Sequence, residues 1–178
     1  MKNKQLLLIL SPLILVGCQT TSLSKVDNKT GAVALPVALK VSGFSSHPCG
    51  RLSFDIAGSE RQVAMSYDPV EDMYVGYGLI DNLPPDNYEI ESFKCHAKSK
   101  RIFNNGLSYL EFPTNFSFDV EANQLTISKV GFYGEATRSG SNSSFNIQMI
   151  DFGTEGQKEV LESFPVDQAK SNGWAITN

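Results

Sequence analysis

The chain has 178 residues, 41% of them hydrophobic and 19% charged, which suits one domain with a substantial core. A formal charge of −4, with no basic surplus, excludes DNA or RNA as the expected partner. Two histidines, no nucleophile elbow, no Ser-His-Asp arrangement and no phosphate-cradling glycine loop leave no legible catalytic residue and no cofactor motif. A pair of carboxylates brought together by folding is the one hydrolytic arrangement left open.

Lys2 and Lys4 precede an apolar run, Leu6 to Leu15, broken only by Ser11 and Pro12. That is the layout of a secretory signal, and at about ten residues it is about half a membrane span. The run ends in Leu15-Val16-Gly17-Cys18, which closely resembles the signal of bacterial lipoproteins. In those a small residue precedes a cysteine that is acylated, with palmitate among its chains, and becomes the new N-terminus. The resemblance implies that residues 1–17 are a signal peptide and that Cys18 is the lipidation site. Each buried acyl CH₂ contributes about 0.8 kcal/mol, so such an anchor is effectively permanent. Gln19 in place of Asp after the cysteine implies the outer membrane, at its periplasmic face. The alternative is an ordinary cleaved signal or an uncleaved anchor with Cys18 unmodified. With Cys18 acylated, Cys49 and Cys95 remain as an even pair in an oxidising compartment, and a disulfide is expected.

From Gln19 to Thr30 the chain is rich in Ser, Thr, Lys and Asn and reads as part of a flexible tether over 18–31, reaching about 20 Å. Residues 32–178 form the expected single domain. Val33, Leu35, Val37, Leu39 and Val41 alternate as in a half-buried strand, and Pro36 places that strand at an edge. Leu52, Phe54 and Ile56, then Val63, Met65 and Tyr67, flank the turn Ala57-Gly58-Ser59 as a hairpin. Met73, Val75, Tyr77 and Leu79 precede a turn at Asn82-Leu83-Pro84-Pro85-Asp86-Asn87. Tyr88 and Ile90 share one parity while Phe93 and Cys95 share the other, which predicts a bulge between them that buries Cys95. Further strands follow at Phe112–Val120, Leu125–Tyr133 and Phe145–Met149, with Arg138–Ser144 as a polar, mobile hairpin loop. Thr154-Glu155-Gly156-Gln157 fits a capping box opening one short helix over about 154–164, which Pro165 ends. Its apolar stripe is expected on the outer side of the last strands, with Trp174 closing an end. The expected fold is all-β: an antiparallel β-sandwich of about seven to nine strands with one short C-terminal helix.

The segment Gly78 to Ile90, with Leu83-Pro84-Pro85 and Tyr88, resembles the proline turn of transthyretin-like (prealbumin-like) modules, also found as the regulatory domain of carboxypeptidases. Phe116 to Glu121 is similar to a strand downstream in such modules. The resemblance covers about a dozen residues closely and implies a noncatalytic binding or scaffolding sandwich without naming a ligand. The chain departs from the family at Asp86, where Gly is usual; Asn87 is the residue expected to take the left-handed conformation instead.

Several groups are weighed as sites. His47 with Cys49, and Cys95 with His96, would supply a tetrahedral metal set if the segments met, although neither pair has C-x₂-C spacing. Asp68, Glu71 and Asp72, and separately Asp81 and Asp86, offer oxygens for calcium without EF-hand spacing. Lys98, Lys100 and Arg101 form the basic cluster, a candidate contact for phosphates or carboxylates of the envelope. Tyr74, Tyr109 and Tyr133 would make a sugar platform if they shared an exposed face. The expected function is a lipid-anchored, noncatalytic module binding another envelope protein or a glycan. The alternative is a lipoprotein that binds a small ligand or a metal ion.

Overall fold

The computed structural model describes residues 23–43, 49–56, 58–68 (backbone only from 64), 73–98, 103, 106–140 and 142–178. Cys18, His47, Glu71, Asp72, Lys100 and Arg101 lie outside these residues. Among them run β1 (Gly31–Ser42), β2 (Arg51–Ile56), β3 (Ser59–Asp68), β4 (Met73–Leu83), β5 (Asp86–His96), β6 (Tyr109–Val120), β7 (Gln124–Ile127), β8 (Val130–Ser139) and β9 (Asn142–Asp151). Two helices, α1 (Gly153–Ser163) and α2 (Val166–Ser171), and a short β10 (Ala175–Thr177) complete the chain.

The chain is all-β, its sheet curled into a half-barrel. The expected purely antiparallel arrangement is corrected to a mixed one, because β1 runs parallel to β7 and β8, and β10 parallel to β7. Curling is achieved by strands that change partners. Ser59–Gln62 of β3 pair with β2, while Val63–Asp68 pair with β4.

The second correction concerns Pro36. β1 is a central strand, antiparallel to β4 on one side and flanked on the other by β7 and then β8. It tolerates proline because its partner changes there: β7 lies beside Ala32–Ala34 and β8 takes over from Val37. Ser128 donates to the Ala34 carbonyl, so the missing Pro36 N–H falls in the gap between the two partners. At this switch Gly131 of β8 passes so close that a Cβ would stand 2.0 Å from the Pro36 oxygen.

Both faces of β1 are buried. Val33, Leu35, Val37, Leu39 and Val41 meet Phe54, Ile56, Ile90, Phe93 and Phe132 in the main core. Phe132 stacks against Phe54 at 6.1 Å and meets Phe93 at 4.5 Å between ring centroids, so side chains from both limbs of the curled sheet interlock. On the opposite face, Ala32 and Ala34 leave room for a second cluster with Tyr77, Leu79, Leu125, Ile127, Val160, Phe164, Ala169 and Trp174.

This second cluster is where the helices sit. α1 covers β1, β4 and β7 rather than the last strands. No capping box forms: Phe152 is the N-cap without a side-chain bond, and Gln157, buried, donates instead to the Ile127 carbonyl at 2.7 Å. That backbone acceptor lies at the end of β7, beneath the helix, where a buried carbonyl needs a donor. Pro165 ends α1 as expected and is also the N-cap of α2, a helix of six residues that adds to the one expected. Arg138–Ser144 is paired nearly to its tip, with Ser139 opposite Asn142. The expected bulge is present: register shifts between Ile90 and Ser92, leaving Glu91 exposed while Ile90, Phe93 and Cys95 are buried. At the proline turn the left-handed residue is Asn82 (φ 58°), not Asn87, and the Tyr88 hydroxyl donates back to the Pro84 carbonyl at 3.1 Å.

Cys49 and Cys95 form a disulfide across 46 residues of sequence, joining the start of β2 to the end of β5 inside the core. On the chain-entropy account a loop of this length contributes about 4 kcal/mol, so a Cys49→Ala/Cys95→Ala chain should unfold at markedly lower denaturant than the oxidised protein. Gly131→Ala should cost about 1–3 kcal/mol by overpacking against Pro36, measurable in the same titration.

Candidate functional site

Alternation in β2 and β5 turns Leu52, Phe54, Ile56, Phe93 and Cys95 inward and leaves Arg51, Ser53, Asp55, Ser92, Lys94 and His96 on the outside of the limb β3-β2-β5-β6. Register brings these into rows. Arg51 lies opposite His96, Ser53 opposite Lys94 and Asp55 opposite Ser92, and on the next strand Glu111 and Tyr109 lie beside Lys94 and His96.

The side chains interlock. The Lys94 ammonium donates to Asp55 and stands 3.6 Å from Glu111, with its charge 5.6 Å from the centre of the Tyr109 ring, within cation–π range. Ser92 Oγ donates to Glu111 at 2.8 Å, with Asp55 at 3.4 Å. Ser53, wholly buried beneath these longer chains, is 2.8 Å from His96 Nε2. Arg51 pairs with Glu60 at 2.8 Å and lies 3.3 Å from each ring nitrogen of His96. The hydrogen bond to Asp55 and the two carboxylates raise the Lys94 pKa above the ordinary lysine value, outweighing burial. Burial, then the Arg51 charge, lowers that of His96 against the opposing pull of Glu60. Lys94 is therefore cationic and His96 neutral at pH 7.

This is not a catalytic relay. Ser53 Oγ and Glu60 Oε2 approach the same nitrogen of His96, at 2.8 and 3.6 Å, so no carboxylate orients the ring from its other side. Ser53 is also out of reach of any substrate. What the face offers is a fixed mosaic of cations, carboxylates and one aromatic ring, held by its own hydrogen bonds, able to meet polar groups without ordering long side chains anew.

The residues singled out from sequence fall in different places. Cys95 and His96 point to opposite faces, the sulfur committed to Cys49 in the core and the ring to the polar mosaic. Among the described residues no three His, Cys, Asp or Glu side chains gather as a metal would need. Asp81 holds Arg61 at 3.6 Å and accepts from Asn82, and Asp86 accepts from the Asn87 amide, so both carboxylates serve their own turn. Lys98 follows β5 beside Gly50. The tyrosines share no face: Tyr74 packs on the main core, Tyr133 bonds Glu135 on β8, and Tyr109 alone joins the mosaic. Asp55, Glu60, Ser92, Lys94 and Glu111 were not singled out, because their positions look like any solvent face until register aligns strands some forty residues apart.

Neither a family model nor a curated protein matches this sequence. Among solved structures, a leucine-rich repeat protein from Bacteroides thetaiotaomicron is similar at 16% identity and a TM-score of 0.34, over 57% of this chain and 13% of that one.

The lowered His96 pKa fixes a sign. Between the folded and unfolded pKa values the unfolded chain binds the extra proton, so stability is complete above about pH 6.5 and falls as pH drops below it. Thermal unfolding followed from pH 7.5 downward should show this loss, and His96→Gln should flatten it. Lys94→Met, which leaves Asp55 and Glu111 facing each other, should cost about 1–3 kcal/mol in denaturant unfolding.

Proposed function

We propose that this chain is a noncatalytic binding module, lipid-anchored through Cys18 at the periplasmic face of the outer membrane, and that its curled sheet is a sandwich of the transthyretin-like kind. The signal pattern ending in Gly17-Cys18 and the glutamine after it support the address. The proline turn closed by Tyr88 and Pro84 supports the fold. The recognition surface in this proposal is the polar face over β2, β5 and β6, and its ligand is an envelope glycan.

The single observation that carries the assignment is the arrangement around Lys94. The Tyr109 ring stands 5.6 Å from the Lys94 ammonium, which hydrogen-bonds Asp55 and pairs with Glu111, while Ser92 holds Glu111 in place. Sugars present flat apolar faces to aromatic rings and hydroxyls to carboxylates, so ring and acceptors at one spacing suit them. An adaptor role toward another envelope protein would use the same face through its charged pairs.

Retention of the full chain on isolated cell-wall sacculi and on immobilised envelope oligosaccharides tests this. Retention that falls at least tenfold in Tyr109→Ala, yet persists in Tyr109→Phe, is the expected result. No retention on any glycan overturns the glycan assignment, and crosslinking in intact cells that captures one envelope protein through Glu111 or Lys94 would replace it with the adaptor role.

A further inference from the structure

The stretch expected to be a tether is docked from Leu23 onward. Leu23 is 3% exposed and packs in the cluster with Ala169 and Trp174. Its carbonyl accepts from Asn172 at 2.7 Å, that of Ser24 accepts from the Trp174 indole at 2.8 Å, and the Val26 amide donates to the Asn172 carbonyl at 3.1 Å. Leu23 is therefore held at the junction of α2 and β10. Four residues lie between Cys18 and Leu23, and the five residue steps span at most about 18 Å even when fully extended.

Beside that junction lies a groove of about 460 Å³ between α1, α2 and β10. Leu161, Val166 and Ile176 form its apolar floor, and Lys158, Lys170 and Glu162 stand on its rim. Lys170 is two residues from the asparagine that holds Leu23. The remaining exposed charges of the two helices, Glu155, Glu159 and Asp167, are acidic and oppose a uniformly anionic surface. Lys158 and Glu162 pair across one turn of α1 at 4.0 Å while both stay exposed; a groove with two ammonium groups, one carboxylate and an apolar floor complements a zwitterionic headgroup, whose phosphate meets the lysines and whose ammonium shares Glu162 with Lys158.

We propose that the cap of α1, α2 and β10 is the membrane-facing side of the anchored protein, and that this groove engages the headgroup of a phospholipid carrying both a phosphate and an ammonium. The inference rests on lipidation of Cys18. Its consequence is orientation. The cap covers the outside of β1, β4 and β7, while the polar mosaic lies on the outside of the opposite limb with the main core between them. Docking the cap therefore turns the mosaic away from the bilayer.

The test uses the full acylated chain reconstituted in vesicles of phosphatidylethanolamine and phosphatidylglycerol that carry a paramagnetic chelator on some headgroups. Spin labels are placed at Asp167→Cys, exposed on α2 next to the groove residue Val166, and at Ser117→Cys, exposed on β6. Relaxation several-fold stronger at the first label than at the second is expected. Equal relaxation, or the reverse order, overturns the orientation. Lys158→Glu/Lys170→Glu, with the same two labels, should abolish the contrast; its persistence would overturn the headgroup contact and leave proximity to the anchor alone. Intact mass distinguishes the premise: a chain without acyl mass on Cys18 overturns the anchoring itself, whereas an acylated chain without contrast overturns only the docking.

Discussion

The burial of β1 on both faces is the constraint from which the architecture follows. A strand in the middle of a sheet must satisfy its backbone on two sides and its side chains above and below. β1 does so with β4 on one edge, β7 and β8 in succession on the other, branched aliphatics toward the main core and alanines toward the helices. The handover from β7 to β8 at Pro36 lets one edge serve two strands. The small side chains of Ala32 and Ala34 let Val160 and Phe164 approach closely enough to seal the second cluster. The rest is laid out about this strand, with a helical cap outside it, the core inside it, and the limb with the polar mosaic beyond.

That layering gives the molecule two chemically different ends. On one, Leu23 and Ser24 are clasped by Asn172 and Trp174 beside an apolar groove rimmed by lysines. On the other, cations and carboxylates are fixed on a sheet surface around Tyr109. The disulfide ties the ends of the two strands that carry most of this mosaic, β2 and β5. Its mechanical effect is thus local to the polar face, while its entropic effect is on the whole chain.

Alternation made most strands legible, because one face meets water and the other does not; the turn residues at Gly58 added the hairpin, and parity the bulge at Glu91. β1 was legible as a strand but misplaced at an edge. Pro36 marks an edge by itself, while the alanines between the larger aliphatics, in a run of nine successive buried residues from Gly31 to Leu39, are the signal of a strand covered on both sides. α2, at six residues, is too short for helical periodicity to show. Gln157 was assigned to a capping box on spacing, and only the position of the β7 carbonyl, set by tertiary packing, redirects it. Cys49 and Cys95 could be paired once Cys18 was set aside. The mosaic could not be assembled, since its members come from four strands whose register is invisible in one sequence.

Native-state hydrogen exchange resolved along the chain tests the central claim most directly, because a strand hydrogen-bonded on both edges and buried on both faces has no local route to solvent. Amides from Val33 to Leu39, Pro36 excepted, should exchange only through global unfolding and rank with the slowest in the protein, well behind β6 and β9 at the sheet's margins. Exchange in β1 as fast as in β6 or β9 would contradict its central place, and with it the opposition of cap and polar face.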